Sequence, residues 1–202
     1  YETARAENRQ LYLDGDQLAD IADKYATDRR FDEAQEVISY GLELHPGHTD
    51  LLIEQAYLYL DTMQLQKAIA VVGSIAEDYD PEVKLLKAEI LLNEGKLDEA
   101  ETLLTQAVAQ TQAEADTDSE KLLRNEQIGF YRDCGKFPAA LETAAAARAL
   151  FEQTGETDTI SYATTLLNCA NAYRAAGNYE DAFAAYKTVQ SLYARLLPPD
   201  DG

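Results

Sequence analysis

Few residues in this 202-residue chain are of a type and spacing suited to chemistry. Two histidines stand close together in His45-Pro46-Gly47-His48, with Asp50 two places further on. Imidazole and carboxylate are ligands for zinc and related cations, yet the segment offers no third strong ligand and reads as a surface turn. Cys134 lies beside Gly135, and Cys169 takes a core position on an apolar helix face, where cysteine behaves as a small hydrophobe. A cysteine nucleophile needs an activating base, and no histidine is near either one in sequence. Acid pairs such as Asp32-Glu33 and Asp98-Glu99 are candidates for acid–base work. They fall in the first turn of expected helices, where the helix dipole favours anions without any catalytic role. No glycine-rich, phosphate-cradling loop occurs. The expectation is a non-enzymatic chain, with no catalytic residues, no metal and no cofactor.

Composition narrows the remaining classes. With 17 Lys+Arg against 37 Asp+Glu the net charge is −20, and the pI is near 4.3. Nucleic acid is thereby disfavoured, because phosphate binding takes clustered bases. At 46% hydrophobic residues the chain is too apolar for a disordered acidic polymer. No stretch approaches the roughly 18 unbroken apolar residues of a membrane helix, so no membrane association is expected. Two cysteines are too few for a disulfide framework. The sequence opens at Tyr1 without a start Met or a charged-then-apolar leader, which suggests a segment of a longer array. Scarce cysteine and the missing leader fit a cytoplasmic location.

The elements that must position any site come from an internal repeat. An apolar or aromatic residue, two mostly polar residues and Ala recur as Phe31-Asp-Glu-Ala34, Leu65-Gln-Lys-Ala68, Leu97-Asp-Glu-Ala100, Phe137-Pro-Ala-Ala140 and Tyr179-Glu-Asp-Ala182. The alanines are spaced by 34, 32, 40 and 42 residues, and Tyr1-Glu-Thr-Ala4 adds a copy 30 residues before Ala34. Around each copy the apolar residues step by three and four, the period of a helix. In three repeats the break before the copy carries Gly95, Gly135 or Gly177, suited to the left-handed conformation that closes a helix. Asn178 follows as an N-cap candidate, and Pro138 sits where a first-turn proline is tolerated. The unit is helix–turn–helix, repeated.

This pattern resembles the tetratricopeptide repeat family, whose unit is about 34 residues. The small residue of the first helix is Ala22, Ala56, Ala88 and Ala170. The aromatic three places later is Tyr25, Tyr59, Tyr131 and Tyr173, with Leu91 in repeat three. Pro46 and Pro81 stand where terminal prolines of the first two repeats are expected. Departures are Ile128 in a small-residue position, and Arg29 and Met63 in turn-glycine positions. Left-handed turns there would cost up to about 1 kcal/mol each relative to glycine. The resemblance implies an all-α, right-handed α-solenoid of about five repeats plus a partial N-terminal helix.

Four stretches follow from this register. Residues 1–14 match the second helix of a partial repeat, and 15–114 hold three short-period repeats. Residues 115–196 hold two longer ones resembling kinesin light chain units, and 197–202 form a connector or tail. The polar, aperiodic Gln110–Glu120 stretch reads as a longer connection between the halves, either a hinge, an ordered loop or a join between two parents.

The family binds peptides in a groove lined by its first helices. Carried over by register, the groove positions of repeats one to three hold Asp16, Asp20, Asp23, Asp50, Glu54, Asp61, Glu82 and Glu89 among eighteen, with no base. Helix-start preference accounts for Asp16, Asp50 and Glu82, so a solvated acidic face competes with a cation-seeking groove. In the later repeats Asn125, Asn168 and Asn171, with Arg132 and Arg174, are placed to meet a bound backbone, or else to bridge adjacent helices. The candidate peptide-binding residues are Asp23, Glu54, Tyr57, Glu89, Asn125, Arg132, Asn168, Asn171 and Arg174. Ala19, Asp23, Glu54, Glu82 and Leu86 stand where the family's carboxylate clamp needs Lys, Arg and Asn, which disfavours chaperone-tail binding. The expected function is a protein-interaction scaffold for a peptide or protein segment, favouring a basic partner. The alternatives are an architectural array that self-associates through uncapped ends, or the sensor arm of a larger regulator.

Overall fold

The computed structural model describes residues 13–77 and 79–197, and contains ten helices and no strand among them. They are α1 (Gly15–Thr27), α2 (Phe31–Leu44), α3 (Thr49–Asp61), α4 (Leu65–Val72), α5 (Pro81–Asn93), α6 (Leu97–Glu114), α7 (Thr117–Asp133), α8 (Phe137–Thr154), α9 (Ile160–Ala175) and α10 (Tyr179–Leu196). Apart from Leu13 and Asp14, the expected N-terminal partial repeat lies outside the described residues, as does the tail after Leu197. The chain divides into two compact units, Tyr1–Ala100 and Glu101–Gly202, and the division falls within α6.

One turn recurs within the repeats. After α1, α3, α5, α7 and α9 the chain passes through three residues, and the middle one is left-handed: Arg29 (φ 58°), Met63 (58°), Gly95 (76°), Gly135 (70°) and Gly177 (83°). The third residue's N–H then reaches back to a carbonyl five residues earlier, as in Arg30 N to Tyr25 O at 2.8 Å and Asn178 N to Tyr173 O at 2.9 Å. That is the Schellman closure, which satisfies carbonyls left over at a helix end. The accepting residues are Tyr25, Tyr59, Leu91, Tyr131 and Tyr173, the aromatic series of the repeat. Arg30 and Lys67 lie over Tyr25 and Tyr59, 4.4 and 5.2 Å from the ring centres.

The two classes of helix start differently. Four of the five first helices are capped by side chains: Asp14, Asp80, Asp116 and Thr159 accept from backbone N–H groups of the following turn, while His48 of α3 makes no such bond. Second helices α2, α4, α8 and α10 follow the tight turn directly, and their N-cap side chains make no capping bond. Asn178 therefore occupies a cap position without acting as a cap. Pro81 begins α5 behind Asp80, so it opens the third repeat rather than closing the second.

Within the first unit α1 packs on α2 and α3, and α3 on α4 and α5. Within the second, α7 packs on α8 and α9, and α9 on α10. Neighbouring first helices thus touch in each unit, which is the stacking of an α-solenoid. The repeat alanines are the close-approach points: Ala22, Ala34, Ala56, Ala68, Ala88, Ala100, Ala140 and Ala170 are completely buried. Leu18, Ile38, Leu51 and Leu86 fill the space around them, each contributing about 1.5–3 kcal/mol by burial. Ile128, large where the repeat is usually small, is fully buried against Ala140, Ala144, Ala147 and Cys169. The alanines of α8 make its room.

The longer connection expected over 110–120 is absent. Helix α6 continues to Glu114, and α7 begins at Thr117. Ala115 (φ 55°) supplies the left-handed turn, and Asp116 caps α7 through Ser119 N at 3.1 Å. Glu120 ties the two helices, accepting from Gln112 Nε2 at 2.8 Å and Arg124 Nε at 2.7 Å. The longer period of repeats four and five comes from longer helices, 16 to 18 residues against 8 to 14 in α1–α5. No helix of the described residues is long and apolar enough to cross a membrane.

Candidate functional site

In the first unit, stacking of α1, α3 and α5 brings together acids that the sequence spreads over 63 positions. Glu54, half-buried on α3, is pushed up from the ordinary carboxylate range to about 8. Burial is the main cause; the charges of Asp23, Glu82, Asp50 and Asp20 add to it in that order. The four charges that act most strongly on Glu54 are all acids. Glu82 is raised as well, by burial first and then by Asp80, Asp50 and Asp23.

The sequence-based candidates divide around that cluster. Asp23 and Glu54 belong to it. Tyr57 is partly buried against the apolar core of Ile53, Ala56 and Val83. Glu89 is partly buried further along α5. Asp20, Asp50 and Glu82 are cluster members outside the candidate set; their shared register was the available signal.

At one edge of the cluster lies the histidine turn. His45 Nε2 is 3.0 Å from the Leu13 carbonyl. His48 turns the other way, its Nε2 3.1 Å from Asp16 Oδ1. The ring rests against Gly15, where a Cβ would stand 2.2 Å from His48 Cδ2. Asp16, His48 and Asp50 each offer a ligand atom, all within 4.8 Å of one another. Asp16, one repeat upstream, adds a third group of ligand type to the pair seen in the sequence.

In the second unit the carboxamides meet each other. Asn168 Nδ2 on α9 donates to Asn125 Oδ1 on α7 at 3.0 Å, bridging neighbouring first helices. Asn125 Nδ2 lies 3.4 Å from Glu126 Oε1, and burial raises the Glu126 carboxyl. Asn171 accepts from Tyr186 Oη at 2.7 Å. Tyr186, which fixes that amide, is absent from the candidate set because it lies on the second helix. Arg132 holds its neighbour Asp133 with two bonds of 2.8 and 3.1 Å, while Arg174 is exposed. An asparagine amide has two donors and two acceptor lone pairs, so these bonds leave capacity for a further partner.

The remaining reactive groups are quiet. Burial pushes the Cys169 thiol up to about 11, and its Sγ lies 3.7 Å from the Ala144 carbonyl. A cavity of about 270 Å³ is lined by Arg148 of α8, Tyr162, Leu166 and Tyr173 of α9, and Asp181 and Thr188 of α10. Its two charged walls are of opposite sign.

Comparison with known proteins follows the same division. No curated protein matches the chain by sequence. Among solved structures, kinesin light chain nearly identical TPR-like repeats from Podosopora anserina share 20% identity. That match covers 89% of this chain and 94% of the other, at a TM-score of 0.64. BtubC (BKLC) from P. vanneervenii shares 19%, covering 93% and 83% respectively, at 0.65. YrrB, a TPR protein with an unusual peptide-binding site, shares 16%, covering 89% and 87%, at 0.50. Tetratricopeptide repeat family models match residues 25–90 and 122–195, together more than two-thirds of the sequence. With ten helices, recurring Schellman turns and stacked first helices behind those matches, the chain belongs to the tetratricopeptide repeat family, and its repeats resemble those of kinesin light chain.

Proposed function

We propose that this protein is a non-catalytic scaffold that binds a peptide or protein segment carrying Lys or Arg on the first helices of its first unit. Interaction with other proteins is the general role of the family, and YrrB shows a fold relative with a peptide-binding site. The acid cluster around Glu54 carries the finer reading. Four carboxylates and the Glu54 carboxyl, drawn from three helices, share one field, and burial has removed part of the solvent around Glu54, Glu82 and Asp50. Such a surface favours a cation over an anion or a neutral segment, and steers it in from a distance. In the second unit, Asn125, Asn168 and Asn171 would contribute backbone contacts from the capacity their mutual bonds leave free, independent of the bound sequence.

The test is selection of random decapeptides displayed on phage against the whole chain. Enrichment of Lys and Arg, diminished when Asp23 and Glu54 are changed to Lys, is the expected result. Enrichment of acidic or uncharged apolar sequences would overturn it. An architectural, self-associating role would instead show as mass rising with concentration in light scattering.

A further inference from the structure

We propose that Asp16, His48 and Asp50 form a binding site for a first-row divalent cation such as zinc, built at the junction of the first two repeats. The site is independent of the peptide reading, though it borders the same acids.

The donors are of the right chemistry, one imidazole nitrogen and two carboxylate oxygens. Asp16 comes from the first turn of α1, His48 from the N-cap of α3 and Asp50 from its first turn. The approach of α1 to α3 makes neighbours of residues 32 and 34 positions apart, with all three ligand atoms within 4.8 Å. His48 Nε2 and Asp16 Oδ1, at 3.1 Å, are already spaced as two ligands on one ion. A tetrahedron with bonds of about 2.0 Å has edges of about 3.3 Å. Asp50 needs to close by at most about 1.5 Å from its 4.8 Å limit. Its side chain, like that of Asp16, is exposed, and the two carboxyls already meet in a hydrogen bond that a bound cation would replace.

His48 is placed for this and not for capping. The other first helices with an N-cap described here spend that residue's side chain on the helix N–H groups, but His48 makes no such bond. Its ring sits instead over Gly15, in space that a Cβ at that position would occupy. Only Nε2 is aimed at the carboxylates; Nδ1 is buried without a partner. Ring orientation therefore comes from packing rather than from a second hydrogen bond, which points to micromolar rather than nanomolar affinity. His45 is not a ligand, since its Nε2 is committed to Leu13 O. Two carboxylates and one imidazole balance the charge of a divalent ion and leave a fourth position for water.

The nitrogen donor gives the decisive contrast. An acidic surface alone attracts magnesium and calcium as readily as zinc, whereas an imidazole favours zinc and cobalt. Titration calorimetry of the full chain with Zn²⁺ and with Mg²⁺ should find one zinc per chain and no comparable magnesium site. Co²⁺ should give visible d–d absorption on binding. His48→Gln should weaken zinc binding by about tenfold or more, and Asp16→Asn by several-fold. Asp16 is exposed, so that variant keeps the test valid if His48→Gln perturbs folding. His45→Gln removes a ring that packs edge-on against His48 but no donor, so one zinc per chain should still bind. Equal affinity for Mg²⁺, zinc binding indifferent to both His48→Gln and Asp16→Asn, or no zinc binding at millimolar concentration would each overturn the proposal.

Discussion

Glu54 should make the first unit lose stability as pH rises, and Glu54→Gln should remove that loss. An acid normally titrates at 4.5 in the unfolded chain, but here the folded value is about 8. Between those values the folded state holds a proton that the unfolded state has released. Stability is therefore fully present below about pH 4.5 and declines as pH rises through about 8. The shift of about 3.5 units corresponds to a ceiling of about 5 kcal/mol at 1.36 kcal/mol per unit. Glu54 is only half-buried, and water screens part of that, leaving about 2 kcal/mol. Glutamine has the shape of the protonated acid and cannot ionise. Wild type and Glu54→Gln should have similar urea midpoints near pH 5, and by about pH 9 the variant should be more stable by about 2 kcal/mol. A difference between the two that stays constant from about pH 5 to 9 would refute the reasoning, as would a variant less stable at high pH.

Two further predictions concern the repeat itself. Met63 is left-handed and 91% exposed, so Met63→Gly removes backbone strain without loss of packing and should raise the melting temperature, by up to about 1 kcal/mol of stability. A lower melting temperature would show that the turn is not strained. Ile128→Ala should destabilise by about 2–5 kcal/mol in chemical denaturation, because the alanines facing it cannot fill the cavity. A loss under about 1 kcal/mol would mean that α7 and α8 close onto each other freely.

What the sequence made legible was what recurs locally. The turn slots were readable even where glycine is missing, and Arg29 and Met63 prove to be left-handed. Ile128 stood out as a departure, and the structure places it among the α8 alanines. The segment over 110–120 was misread because both signals failed at once. Its residues 112–115 are all exposed and include no large apolar side chain, so periodicity fades, and Ala115 occupies the turn position that glycine would have flagged. Contacts one repeat away were also out of reach. Register put Asp16 and Asp50 in equivalent places, but it could not show His48 turning back over Gly15. Nor could it show that Asn168 and Asn125, 43 residues apart, bond to each other. The acids were found by register, yet helix-start preference accounted for Asp16, Asp50 and Glu82, and a solvated face fitted the rest; the Glu54 environment adds that Asp20, Asp23, Asp50 and Glu82 act on one partly buried carboxyl.

Binding of a defined basic peptide tests the central claim most directly. A lysine-bearing decapeptide and its glutamine-substituted counterpart would be titrated into the whole chain by fluorescence anisotropy, at low and at moderate salt. The same titration would be repeated on the chain with Asp23, Glu54 and Glu89 changed to Lys. The account predicts that the lysine peptide binds more tightly than its counterpart, weakens as salt rises, and loses its advantage on the charge-reversed chain. Equal binding of the two peptides, or affinity untouched by charge reversal, would contradict it.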